Sequence, residues 1–296
     1  MSPDFCPSNP FAGRYASAYM GGMKNILILL VLAGLGYYGY SLLSGAPVTG
    51  ISRGLSSSEG VTSVMEARPA QADYALRILF IGNSYTFTHN MPQQMVEMAR
   101  SDSANRTHYM VQSITKGGAS LEEIWALPEV QQLLSEKWDY VVLQQQSFWA
   151  MHPEGVIKTI KIAREYDTRI KQAGARTLLF TTWARKPDSH WYSNQETAFL
   201  RNADYMQKKF DEQTSQLAGK IGAVAIPVGG YWAYVNNALP DIDLYSADAT
   251  HPGVAGSYLS AAVFYRYFSG RTLETVSYVP PGISAETAKR LREVVR

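Results

Sequence analysis

From residue 74 onward, short apolar runs alternate with longer stretches of helical period. Residues 75–81 (ALRILFI) read as the first strand, and 92–101 as a helix with Met95, Val96 and Met98 on one side. A second strand is expected over 108–113. Gly117-Gly118-Ala119-Ser120 then leads into a helix over 121–137. Residues 139–143 (DYVVL) are a short apolar run of the kind buried in a parallel sheet. A helix over 153–173 is stopped by Gly174, and a strand follows over 176–182. A long helix over 194–217 is stopped by Gly219, and the fifth strand covers 223–228. Helices over 253–268 and 284–295 complete the pattern. Five alternations predict one α/β domain with a five-stranded parallel sheet covered on both faces. In such sheets chemistry gathers beyond the carboxyl ends of the strands. Ser84, Gly118, Gln146 and the loop after Trp183 all fall at such ends.

The N-terminal part follows another pattern. Residues 25–43 (NILILLVLAGLGYYGYSLL) are uncharged, mostly apolar and about as long as a bilayer is thick. Arg14 and Lys24 precede them, which places the short N-terminal side in the cytoplasm and the remainder outside. The run reads as a signal peptide or an uncleaved anchor; its length favours an anchor over a signal peptide and a membrane segment over a buried helix, and Ser44-Gly45-Ala46 is the candidate cleavage site. No cysteine follows it, which argues against a lipoprotein. Met23-Lys24 reads as an alternative start. Residues 45–72, rich in Ser, Gly, Ala and Pro, read as a flexible linker. The expected organisation is therefore 1–44 as extension and membrane signal, 45–72 as linker and 73–296 as the globular domain. The expected location is periplasmic or extracellular, with an inner-membrane tether if the run is not cleaved.

Composition narrows the function. The 296 residues include 46% hydrophobic and 12% aromatic ones, enough for a packed core. A formal net charge of +2 with scattered basic residues makes no electrostatic case for nucleic acid. Cys6 is the only cysteine, so an intrachain disulfide and a thiolate zinc site are both excluded. His89, His108, His152 and His190 lack HExxH or other paired spacing, and no metal or cofactor is expected.

The candidate chemistry sits in two segments. Ser84 lies three residues past Ile81, where the first strand should give way to loop, and Gly82 removes bulk where the chain turns. Near the C-terminus Asp248 and His251 are three residues apart, ahead of Pro252-Gly253. That spacing can put both side chains on one side of a tight turn, with His251 facing Ser84 and Asp248 holding its other nitrogen. A nucleophile, a base and an orienting acid are what a serine hydrolase needs. The competing readings are an ordinary capping serine, a capping aspartate and a surface histidine. Gly117-Gly118 follows a strand and can aim a backbone N–H at an oxyanion; it has neither the Walker spacing nor GxGxxG of a phosphate loop. Gln144-Gln145-Gln146 ends a buried strand, where a side-chain amide can serve as a second oxyanion donor or simply be polar loop. Trp149, Trp183, His190, Trp191 and Tyr192 follow the third and fourth strands and could stack on sugar rings or pack as core and lid.

Gly82-Asn83-Ser84, then Gly118, then the glutamine run, then Asp248-x-x-His251-Pro252 resembles the SGNH (GDSL-like) hydrolase superfamily over residues 76–268. The resemblance implies a flavodoxin-like three-layer α/β/α sandwich and an esterase, lipase, carbohydrate O-deacetylase or acyltransferase. There are two departures. Asn83 stands where Asp is commoner, and the usual Gly-x-Asn-Asp after the third strand is absent. Aligning its Gly with Gln144 puts Gln146 at the Asn position and Ser147 at the Asp position. Gln146 is then the expected donor, with Gln144 as rival. An α/β-hydrolase is disfavoured, because the serine sits in Gly-Asn-Ser-Tyr-Thr after the first strand and not in Gly-x-Ser-x-Gly. The expected activity is serine-dependent hydrolysis of an acyl ester, chiefly O-acetyl on a carbohydrate. Catalytic residues would be Ser84, Asp248 and His251, and substrate contacts Asn83, Trp183 and Tyr192. A lipid or thioester hydrolase, an acyltransferase and an inactive glycan-binding domain are the alternatives.

Overall fold

The computed structural model describes residues 63–69 and 72–295. The membrane-length run and most of the linker lie outside the described residues. Among the described residues no helix is long and apolar enough to cross a membrane.

The sheet has six strands: β1 Ser63–Ala67, β2 Tyr74–Gly82, β3 Thr107–Thr115, β4 Tyr140–Leu143, β5 Arg176–Phe180 and β6 Val224–Ile226. Their order is β1-β3-β2-β4-β5-β6. The five expected strands are all present and all parallel, with Ile78 opposite both Val111 and Tyr140, and Leu178 opposite Val224. The sixth corrects the expectation. Residues 63–67, read as linker, pair antiparallel with β3 from Ser63 opposite Ser113 to Ala67 opposite Tyr109. Their partner lies some forty residues ahead, so composition alone did not reveal the pairing.

Period-two alternation along the buried strands sends side chains into two separate cores. Leu76, Ile78 and Phe80 of β2 enter one core with Val142, Leu178 and Phe180. Leu79 and Ile81 enter the other with Ile114, Val141, Leu143 and Leu179. Helices cover both faces and complete the three-layer α/β/α sandwich. On the first face pack α2 (Met91–Ser101), α8 (Val228–Ala238), α9 (Val254–Ser269) and α10 (Ala285–Val294). On the second pack α3 (Leu121–Trp125), α4 (Pro128–Leu134), α5 (Pro153–Gln172) and the end of α7 (Ala203–Ile221). The short α1 (Ser84–Phe87) and α6 (His190–Ser193) lie in loops at the carboxyl end.

Three helices depart from the periodicity. The stretch 121–137 breaks in two because Pro128 forces Leu127 into extended backbone (ψ 131°). The stretch 194–217 resolves into a 3-10 segment, Gln195–Leu200, and α7. The break falls at Asn202, whose side chain caps Tyr205 N–H at 2.8 Å. Helix α7 then runs through Gly219 and stops at Gly222, whose φ is +64°. Helix α8 was not anticipated: it opens on Val228-Gly229-Gly230, a poor helix start by propensity, and packing of Trp232 and Val235 holds it.

Candidate active site

Taken without β1, the strand order is the doubly wound one that places β2 beside both β3 and β4. The chain therefore leaves β2 at the point where the winding reverses, and the loops after β2 and β4 diverge to opposite faces. A crevice forms at such a switch point. Ser84 sits at its floor, two residues past the end of β2.

The turn holding Ser84 is built by neighbours of low freedom. Asn83 is 3% exposed; its Oδ1 accepts Tyr85 N–H at 3.1 Å and its Nδ2 donates to Ala119 O at 3.0 Å. Gln144, fully buried, accepts Asn83 N–H at 2.8 Å and Thr86 Oγ1–H at 3.0 Å on its Oε1. Gly82 is required by this same contact. A Cβ there would lie 2.4 Å from Thr86 Oγ1 and 2.6 Å from Gln144 Oε1.

Half-buried Ser84 reaches across 167 positions of sequence to the loop before α9. Its Oγ lies 2.8 Å from His251 Nε2, and His251 Nδ1 lies 2.5 Å from Asp248 Oδ2. The second Asp248 oxygen accepts the Thr250 and His251 backbone N–H groups at 3.0 and 2.9 Å. Burial pushes the Asp248 carboxyl up. The hydrogen bond from His251, its charge and the two backbone amides outweigh that and hold it at about 2. An ionised Asp248 accepts only, so His251 Nδ1 carries the proton and Nε2 is left to accept from Ser84 Oγ–H. Ala249, between the two, has a left-handed φ of +59° that tightens the loop enough for both side chains to face one way.

The oxyanion candidates separate clearly. Ser84 N–H opens the first helical turn and so has no intrahelical acceptor. Gly118 sits on the exposed rim with φ +68°, and the turn there is closed by Ala119 N–H donating to Lys116 O. Space around Gly118 is open, so the glycine serves the backbone conformation. Gln144 is spent on both sides: besides the two bonds its Oε1 accepts, its Nε2 donates to Gln145 O at 2.6 Å. Gln145 is likewise consumed, by Leu121 N–H, Gln146 N–H and Thr159. Gln146 is half-exposed; its Oε1 accepts Phe148 N–H at 2.8 Å, and among the described residues nothing accepts from its Nε2.

Two expected substrate contacts are corrected by their surroundings. Trp183 is 1% exposed, stacked between Tyr85 (4.6 Å, 6°) and Trp232 (3.9 Å, 3°), with Nε1–H donating to Thr250 O. It is a rivet under the site with no face left for a sugar. Asn83 is the buried cap described above. Tyr192 is half-buried and donates its hydroxyl to Arg185 O at 2.8 Å; burial raises its phenol well above the ordinary value. Trp191, in the same loop, donates Nε1–H to Asp248 O at 3.1 Å and so borders the loop bearing Asp248 and His251 directly. Among the described residues no group of three His, Cys, Asp or Glu is placed to hold a metal.

No protein-family model matches the chain, and no curated protein does. Solved structures do. A candidate SGNH hydrolase from Slackia heliotrinireducens is 26% identical, with a TM-score of 0.54 over 66% of this chain and 99% of that one. A DUF4886 family protein from Bacteroides uniformis is 19% identical, with a TM-score of 0.58 over 75% and 93%. A catalytic mutant of Axe2, an acetylxylan esterase from Geobacillus stearothermophilus, is 15% identical, with a TM-score of 0.50 over 66% and 94%. The fold is the SGNH hydrolase fold. The two more distant structures bear on architecture alone, and they share the sandwich described here.

Proposed function

We propose that this protein is a serine esterase that cleaves an acyl ester through an acyl-enzyme, with O-acetyl on a carbohydrate as the first substrate class to test. The observation that carries the reading is the continuous chain from Ser84 Oγ through His251 to Asp248 at the switch point of the sheet. In the first step His251 Nε2 takes the Ser84 proton as Oγ bonds to the ester carbonyl carbon. The carbonyl oxygen becomes an oxyanion facing the Ser84 and Gly118 N–H groups and the Gln146 amide. Collapse expels the alcohol, which receives the proton from His251. Water then repeats the sequence, and the acid leaves with Ser84 restored. Asp248, held ionised, keeps the imidazole in the required tautomer and offsets its charge when protonated. The preference for acetyl on a sugar rests on the exported location expected from the apolar run and on the half-exposed aromatic loop around Trp191. The exposed rim at Gly118 and Asp248 is open to water, which favours hydrolysis over acyl transfer.

The test is para-nitrophenyl ester hydrolysis, acetate against octanoate, with Ser84→Ala as control. A loss of at least about 10³-fold in kcat on removing Ser84 is expected. A Ser84→Ala protein that keeps near-full turnover ends the serine-esterase reading, and an octanoate preference moves the substrate class to lipids.

A further inference from the structure

Arg185 is 2% exposed and stands in the loop after β5. Among the described residues no carboxylate lies within ion-pair distance of it, and its buried Nε has no hydrogen-bond acceptor. Three aromatic rings surround its guanidinium: Phe148 at 4.6 Å, Trp191 at 5.1 Å and Tyr85 at 5.9 Å. Ring faces offset part of the desolvation of a cation, but a buried charge with no anion is an expensive way to fill space. For stability alone, an apolar side chain of similar volume would serve as well or better.

Its two donating nitrogens show what the charge accomplishes. Nη1 donates to Tyr85 Oη, and Nη2 donates to Ser147 Oγ at 3.1 Å. Tyr85 Oη, which accepts from Arg185, also shares a hydrogen bond with Thr250 Oγ1, 2.6 Å away. Tyr85 follows Ser84, Thr250 precedes His251, and Ser147 follows Gln146. One guanidinium therefore touches, directly or through one hydroxyl, the residue adjacent to each of the three groups named above as nucleophile, base and amide donor. The residues flanking Arg185 add to the same clamp: the Trp183 indole Nε1–H donates to Thr250 O at 3.0 Å, and the Lys186 backbone N–H donates to Ala249 O at 2.9 Å.

We propose that Arg185 is a positioning residue that sets the mutual register of the loops bearing Ser84, Gln146 and His251. The proposal rests on the serine-esterase reading for its catalytic consequence. The planar fork is what the role needs, because it spans two acceptors at fixed separation, as a lysine ammonium on a flexible stem does not. Misplacing reacting groups by about 1 Å is enough to lower a rate by about 10²-fold.

The experiment compares Arg185→Met, Arg185→Lys, Tyr85→Phe and the double variant Arg185→Met/Tyr85→Phe for kcat, KM and thermal midpoint. A role in register predicts that kcat falls by about 10- to 100-fold with KM changed less than about threefold. It predicts a thermal midpoint for Arg185→Met that is unchanged or raised, no rescue by Lys, and a double variant no slower than the slower single one. An Arg185→Met enzyme with kcat within about twofold of wild type, or a double variant whose losses multiply, overturns it. A wild-type protein that neither turns over esters nor is labelled at Ser84 by a fluorophosphonate would instead remove the esterase reading. Register is then read from the low-field proton resonance of the His251–Asp248 hydrogen bond. Broadening in Tyr85→Phe and Arg185→Met supports the clamp, and unchanged linewidth overturns it.

Discussion

Two buried charges sit at opposite ends of the sheet, and they are treated differently. At the amino end, Asp102 follows α2, its side chain 1% exposed. Its oxygens accept from Tyr265 Oη at 2.6 Å, Thr275 Oγ1 at 2.5 Å, Ala104 N–H at 2.9 Å and Arg271 Nη2 at 3.1 Å. Burial pushes that carboxyl up, and the hydroxyl, amide and guanidinium partners bring it below its ordinary value. The network ties α2, α9 and the segment after α9 together, and every lone pair has a use. At the carboxyl end, Arg185 has rings and hydroxyls but no counter-ion. One end spends its polar groups on holding the chain; the other carries a net buried charge where Ser84 and His251 must meet. Local rules are kept where only stability is at stake and broken beside the site.

The sharpest way to break this comparison is to remove Asp102. Asp102→Ala takes the acceptor from the Tyr265 and Thr275 hydroxyls and the Ala104 N–H and removes the ion-pair partner of Arg271, whose Nη1 keeps Ala104 O, and should lower unfolding free energy by about 3–5 kcal/mol. Per folded molecule, esterase turnover should be unchanged; urea unfolding together with active-site titration measures both. A proportional fall in turnover would join the two ends into one cooperative unit. Next comes the glutamine pair. Gln146→Ala should cost about 10²-fold in kcat, as expected of a lost oxyanion donor, with only about 1 kcal/mol of stability lost with the Phe148 N–H bond. Gln144→Ala should instead destabilise the Asn83–Ser84 turn, because it strips three hydrogen bonds from a buried corner. Reversed outcomes would exchange their roles.

Gly82→Ala should cost about 1–3 kcal/mol, since its Cβ has nowhere to go between Thr86 and Gln144. Its unfolding midpoint should fall along with turnover, in contrast to Asp102→Ala. The smallest effect is the response to acid. Asp102 and Asp248 are both held below the ordinary 3.8, Asp248 at about 2. A depressed carboxyl contributes stability that is fully present above the unfolded value and disappears as pH falls through the folded one. Stability from these two groups should therefore be flat above pH about 4 and decline from there toward pH about 2. Asp102→Asn should flatten part of that decline in urea midpoints measured against pH; an unaltered slope would mean that the network does not hold the carboxylate.

How much of this could be read in advance differs by residue. Ser84 and the Asp248–His251 pair were legible because each is a local motif at the end of a recognisable element. The parallel strands were legible because burial on both faces leaves continuous apolar runs. Which of three consecutive glutamines keeps an amide unclaimed was not, since identical side chains differ only in which buried groups claim them. Trp183 was misread for a related reason: an aromatic residue just past a strand end reads as a pocket wall, whereas here Tyr85 and Trp232 occupy both of its faces. Trp191, its loop neighbour, is the ring that borders the site.

Strand β1 and Arg185 left no trace at all. SVMEA looks like linker until β3 supplies its partner, and Arg185-Lys186-Pro187-Asp188 looks like a solvated turn until Tyr85, Phe148 and Trp191 close over the guanidinium. Sequence determined the periodicity of the strands and the identity of the groups available for chemistry, because those depend on a residue and its near neighbours. Tertiary structure decided which of those groups are left unspent and how far apart they stand. Hydrogen-bond capacity is finite, and it is allotted only once distant segments compete for it in a space from which water has been removed.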